Sequence, residues 1–288
     1  LPGWKRSAGE FAEAGVKRIG TEATGGYERG VTRHLQAAGF IVVVLQPLQA
    51  LHVKAFAKLH LRRAKNDRVD AILIAACTVA KDAQNKLPPD PQFDVLTDHL
   101  TFIEQVEDGI VRCKTRLAHI SDTRLRRCVM TDIARLEKRC AAELKRLIGA
   151  MRGHADLAPR FELVLRVPGI GERTALAVVL RMPELGQVSR EEAAARAGLA
   201  PFVHQSSKRQ GETHIGSGRG RLRPSLYAAA LPGAFCWKPT LKALYARHMA
   251  PRGKTHKGAP VACARKLLVF ANTVIAHGTP WVANPASA

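Results

Sequence analysis

Two short apolar runs near the start, separated by one amphipathic stretch, constrain this chain more than any other feature. Val16 to Thr21 (VKRIGT) has the length and composition of a strand, and Glu22 follows it. Ala23-Thr24-Gly25-Gly26 reads as a turn, and Tyr27 to Ala38 places Val31, Leu35 and Ala38 on one helical face. Phe40 to Leu45 (FIVVVL) is an unbroken apolar, mostly β-branched run, the pattern of a strand buried on both faces. Strand, helix, strand at these lengths is a βαβ unit with a parallel sheet, because parallel strands need a crossover. In such sheets, sites gather at the carboxyl ends of strands. Glu22 stands at such an end beside glycines; a solvated turn glutamate is the plain alternative.

More carboxylates follow. Leu51 to Leu61 reads as helical and leads through Arg62-Arg63-Ala64-Lys65-Asn66 to Asp67 and Asp70, at the start of an apolar helix, Ala71 to Ala80. The i, i+3 spacing sets Asp67 and Asp70 on one helical face, and the dipole at a helix N-terminus favours their ionised forms. Two carboxylates on one face, with a third at a strand end, can hold Mg²⁺, which takes oxygen ligands in an octahedral array. The competing reading is an N-cap and a first-turn acid, common in helices of any function.

Leu87-Pro88-Pro89-Asp90-Pro91 is a linker signal, and the chain divides into residues 1–85, 86–157 and 158–288. From Val95 to Met151 there is no proline and only two glycines, which predicts long helices, an antiparallel pair or coiled-coil arm. In the last part, Leu163 to Leu180 holds Val167-Pro168-Gly169-Ile170-Gly171 between two apolar helical stretches, a helix-hairpin-helix signature. Gly169 and Gly171 make the tight turn, and the N-terminus of the next helix offers backbone N–H groups to a phosphate. An ordinary turn between helices is the alternative. Ser189 and Glu192 form a capping box, and Gly198 stops the helix it starts.

The richest segment is Val203 to Tyr227, VHQSSKRQGETHIGSGRGRLRPSLY. It combines hydroxyls (Ser206, Ser207, Ser217), cations (Lys208, Arg209, Arg219, Arg221, Arg223) and glycines. Serine supplies a nucleophile, guanidinium grips phosphate, and glycine permits close approach. A solvated basic loop has the same composition. An alanine-rich helix from Ser225 to Ala230 and a last amphipathic helix, Val261 to Ile275, follow it.

Charge gives the partner class. Lys and Arg number 45 against 24 Asp and Glu, a net +21, and such a surface is drawn to polyanions, nucleic acid foremost. No long uncharged apolar run favours a membrane role. Cys77, Cys113, Cys128, Cys140, Cys236 and Cys263 form no CxxC pair, which argues against zinc and fits a reducing cytoplasm.

These motifs, in this order, resemble the DEDD transposases of insertion sequences, which join a RuvC-like N-terminal domain to a serine-bearing C-terminal domain. Thr21-Glu22-Ala23-Thr24-Gly25-Gly26-Tyr27 is similar to that family's EATG block, and Lys65-Asn66-Asp67-Arg68-Val69-Asp70-Ala71 to its KTDRxDA block. Val167-Pro168-Gly169-Ile170-Gly171, Ala197-Gly198-Leu199-Ala200-Pro201 and the serine block extend the match through the C-terminal part. The resemblance implies an α/β RNase H-like domain, here partial, then a helical arm and a mainly helical C-terminal domain. It also implies Mg²⁺ on Glu22, Asp67 and Asp70 as the second to fourth acids of a tetrad. Ser206 would be the serine that joins covalently to DNA, with Ser217 as second choice. Some members work with a bridge RNA as guide, and a homo-oligomer, dimer or tetramer, is expected.

Three departures stand out. Ser207 occupies a position where the family has glycine, and Asn66 one where it has threonine. The first tetrad acid would lie on a strand upstream of Glu22 that this chain lacks, so missing upstream sequence is expected. Two rival readings follow: a metal-dependent junction nuclease without a covalent intermediate, and a non-catalytic DNA-binding remnant.

Overall fold

A computed structural model describes residues 2–23, 26–45, 67–80, 90–202, 205–206, 209–210, 214–216, 218–232, 239–249 and 258–282. The chain packs as two units, Leu1–Asp90 and Pro91–Ala288.

In the first unit, helix α1 (Pro2–Glu13) precedes β1 (Arg18–Glu22), α2 (Glu28–Ala37), β2 (Ile41–Leu45) and α3 (Asp67–Ala80). The two strands pair in parallel, Arg18 opposite Ile41 and Glu22 opposite Leu45, so the βαβ expectation holds. Leu35, Phe40 and Val42 form a cluster joined by Ile19, Val31, Ala8 and Phe11, which places α1 and α2 on the Ile19 face. Gly20 alternates to the opposite face, and α3 lies there. A β-carbon on Gly20 would fall 2.0 Å from Thr78 Oγ1 and 2.8 Å from Ile74 Cγ2. Helices therefore cover both faces, the arrangement a parallel pair requires. The expected helix from Leu51 to Leu61 lies outside the described residues.

The second unit is helical. Pro91–Leu117 (α4) and Thr123–Arg152 (α5) form a long hairpin, closed at its turn by Asp122, which accepts from Leu125 N at 2.7 Å, and by Arg126, which donates to the carbonyls of Leu117 and Ile120. Val106, Ile110 and Ile133 make a satellite core along the arm. At its other end Leu96, Leu100, Ile103, Leu147 and Met151 merge into the main core, with Leu157, Phe161, Leu176 and Leu180. The helical pair and the C-terminal helices thus share one core across residue 158. α6 (Leu157–Leu165), α7 (Glu172–Arg181), α8 (Arg190–Ala197), α9 (Leu222–Pro232), α10 (Pro239–Met249) and α11 (Gly258–His277) complete the unit. Helix α11 is long and apolar enough to cross a membrane by length and composition, but Cys263, Ala264, Leu267, Leu268 and Ala271 are fully buried in the core.

Between α8 and α9 lies a narrow antiparallel ribbon. β3 (Pro201–Phe202) pairs with β6 (His214–Ile215), and inside them β4 (Gln205–Ser206) pairs with β5 (Arg209–Gln210).

Candidate active site

The first group of candidates stands at one end of the small sheet. Glu22 closes β1, and strand alternation puts its side chain on the Gly20 face, the one α3 covers. Along α3, Thr78 meets Gly20 and takes an Arg18 Nη1 contact on its carbonyl at 3.5 Å, while Ile74 meets Gly20. That order sets α3 against the direction of β1, so its N-terminal turn, with Asp70, lies toward the Glu22 end. Asp67 is the first residue of that helix; its side chain lies outside the described residues. Among the described residues no three acidic, histidine or cysteine side chains converge as a metal site. The strand and helix directions set Glu22 and the Asp70 turn toward the same end of the sheet.

The second group lies in the ribbon and its foot. Ser206 faces Arg209 as the innermost strand pair, and Ser207, Lys208 and Ser217 lie outside the described residues. The foot is tightly built. Ser189 caps α8 with a complete capping box, and Gly198 ends it at φ 70 in the left-handed region. Leu199 N bonds back to Ala194 O at 2.8 Å, closing the helix end. Gly218, at φ 66, lies directly on this cap: a β-carbon there would come 2.4 Å from Gly198 N and 2.7 Å from Arg196 O. Arg219 N then donates to Arg196 O at 2.9 Å.

Each of the three arginines that follow meets a partner within the fold, Arg221 with its side chain still 48% exposed. Arg219 Nη1 is hydrogen-bonded to Glu184 Oε1, and Arg196 Nη1 lies 3.4 Å from the same oxygen. Arg221 Nη1 donates to Glu104 Oε2 at 3.1 Å, an oxygen that Arg181 Nη2 also reaches at 2.7 Å. Arg173 forks onto Glu107 at 2.9 and 2.7 Å. Arg223 reaches Gly198 O at 3.5 Å. Burial would raise the Glu184 carboxyl, but the Arg219 hydrogen bond and charge outweigh it and hold the group below the ordinary value. Arg173 shows the same balance from the other side: burial disfavours its charge, and Glu107 more than restores it.

The helix–turn–helix at residues 157–181 has the expected residues at its turn. Gly169 is at φ 95, Val167 and Ile170 are buried on either side of it, and Gly171 takes the N-cap of α7 with no side-chain cap. The carboxylates Glu104 and Glu184 carried no signal in the sequence. Nothing in their spacing or neighbours marks them as partners of arginines far along the chain.

Comparison with known proteins decides the family. A transposase model of the DEDD, IS110 type matches residues 3–125, and a model described as transposase IS116/IS110/IS902 family matches residues 161–246. The two fall in chain order and together span more than half of the sequence. The chain is an IS110-family transposase. It is 29% identical over 271 residues to the pilin gene-inverting protein of Moraxella lacunata, covering 90% of this chain and 80% of that one. The Moraxella bovis protein of the same name is 27% identical over 270 residues, with the same coverage of each. Family membership makes DNA the substrate and DNA recombination or transposition the activity at a general level. A DEDD domain also implies use of a divalent metal. The oxygen donors at the Glu22 end fit such an ion in kind.

Proposed function

We propose that the transposase cuts and rejoins DNA during insertion-sequence movement with Ser206 as its nucleophile. The observation that carries this is the position of Ser206, on the innermost pair of a ribbon opposite Arg209, above a foot locked by Gly198 and Gly218. Ser206 Oγ forms an ester to the scissile phosphorus as the bond from phosphorus to a sugar oxygen breaks. The serine proton passes to that leaving oxygen, and the reverse step rejoins a strand. Ser217, one residue before the Gly218 contact, is the second candidate. Lys208, Arg209 and Arg223 supply cations for the phosphates around the serine.

Glu22, Asp67 and Asp70 would hold Mg²⁺, whose chemistry when bound is Lewis-acid polarisation of phosphoryl oxygens. The turn at Gly169 and Gly171 is read as a helix-hairpin-helix. The uncapped N-terminus of α7 presents backbone N–H groups to a DNA phosphate, while Glu172 in its first turn is drawn aside to Arg152 at 3.0 Å. A bridge RNA serves as guide in this reading, and further copies of the chain assemble with it. Phe102, Val111, Leu125 and Met130, exposed apolar side chains on the arm, support assembly.

The decisive experiment traps the covalent species. With DNA carrying the ends of the encoding element, Ser206→Ala should abolish the protein–DNA adduct on a denaturing gel, and Ser217→Ala should leave it. An adduct that survives Ser206→Ala removes Ser206 from the mechanism. The placement of Glu22 and the Asp70 turn toward one sheet end also favours a second reading, a metal-dependent nuclease in which water attacks. Metal-dependent cleavage with no adduct in the unaltered protein would select it.

A further inference from the structure

The foot of the serine ribbon is held by two carboxylates from elsewhere in the second unit. Glu104 comes from α4 and is nearly buried, at 7% exposure. It receives Arg221 at 3.1 Å and Arg181 at 2.7 Å on one oxygen, with Arg173 3.7 Å from the other. Glu184 comes from the connection between α7 and α8, and holds Arg219 and Arg196. That connection is itself fixed. Arg160 Nη2 donates to the carbonyls of Pro183 and Leu185 at 2.8 and 3.0 Å. Asn272 of α11 accepts from Gly186 N at 2.7 Å and donates to Val188 O at 2.9 Å. Gly186, at φ 89, leaves no room for a β-carbon, which would lie 2.6 Å from Ile275 Cγ2.

We propose that Glu104 and Glu184 are positioning residues for strand transfer: they bind Arg221 and Arg219 inward and so fix where the serine ribbon leaves the helical body. The proposal rests on reading that ribbon as the reactive segment. An arginine that turned to a DNA phosphate would strip one charge-assisted hydrogen bond from a carboxylate of low exposure, leaving Glu184 with Arg196 at 3.4 Å and Glu104 with Arg181 at 2.7 Å, which is unfavourable. The two arginines therefore act through geometry, and phosphate contact falls to the ribbon's other cations. Glu104 and Glu184 do not touch DNA.

The test uses the full chain with Glu184→Gln, Arg219→Gln, Glu104→Gln, Arg221→Gln and the double variant of each pair. Three quantities are read: affinity for a random-sequence 30-base-pair duplex across a salt series, thermal midpoint, and recombination per folded molecule on DNA carrying the element's own ends. Each single substitution should lower recombination by about tenfold or more, as misplacement remote from the chemistry does. Each double variant should be no worse than its worse single, as expected of residues acting as one unit. Duplex affinity should change by less than about twofold, and its salt slope should not move, because no phosphate contact is lost. The charge-exchanged pair Glu184→Arg with Arg219→Glu should recover part of the activity.

Two outcomes overturn the proposal. If Glu184→Gln or Glu104→Gln tightens duplex binding, or Arg219→Gln or Arg221→Gln lowers the salt slope by about one, the arginines are phosphate ligands. If recombination falls only in step with the folded fraction, the pairs are structural and position nothing. Failure of the serine reading shows differently: the adduct assay with Ser206→Ala and Ser217→Ala gives it, whichever way the pair variants behave.

Discussion

Gly218 shows how little freedom the ribbon's foot has. Its φ of 66 lies in the left-handed region, and its α-carbon rests on the backbone of Gly198 and Arg196. Gly218→Ala meets both objections at once, a strained conformation that costs about 1–2 kcal/mol and a methyl group driven into another segment's backbone. Thermal melting should show the loss of stability, and recombination should fall further than the melting change alone accounts for. Glu184 makes a second residue-scale prediction, through pH. Its folded-state carboxyl is held below the ordinary 4.5 by Arg219 against the opposing effect of burial. A depressed carboxylate contributes stability that is present above its unfolded value and is lost as pH falls through the folded value. The transposase should therefore lose stability from about pH 4.5 downward, and Glu184→Gln should flatten that part of the curve. An unchanged acid limb in the variant would show that this ion pair is absent in solution.

At the scale of elements, much was legible beforehand. The unbroken apolar run from Phe40 to Leu45 gave β2, in which Val42, Val43 and Leu45 are buried, and the length and composition of VKRIGT gave β1. The proline-free stretch gave the helical pair, and the Ser189–Glu192 spacing gave a capping box that the structure contains. These signals are local or periodic. The ion pairs are neither: Arg221 and Glu104 lie 117 residues apart, and in a chain with 45 basic residues a glutamate's partner cannot be chosen by counting. For the same reason the sequence could not show that Arg219 and Arg221 meet carboxylates within the fold. The α6–α7 turn supplies the prediction at this scale. Gly169→Ala, at φ 95 between buried Val167 and Ile170, should destabilise the second unit by about 1–2 kcal/mol. Gly171→Ala, at φ −88 with open space around it, should be far milder. Comparing duplex affinity of the two separates loss of fold from loss of a phosphate contact.

For the whole molecule, the division at Asp90 matters most. The unit from Pro91 carries its own main core and a satellite core along the arm. A fragment beginning at Pro91 should melt cooperatively and bind duplex DNA with a steep salt dependence, weakening at least about a hundredfold between roughly 50 and 200 mM salt. Lacking Glu22, Asp67 and Asp70, it should show no metal-dependent cleavage. A fragment that fails to fold would mean that the first unit supplies part of the core.

The contact of Gly20 with Thr78 carries a consequence for descent. The helix meets bare strand backbone there through the Thr78 hydroxyl and the Ile74 methyl, so the strand position cannot gain a side chain while the helix stays as it is. Among relatives of this transposase, a side chain at the position of Gly20 should arrive together with a smaller residue at that of Thr78. Lineages that broke this pairing would also have shifted the acidic end of the helix along the strand, and the two positions should therefore change in concert or not at all.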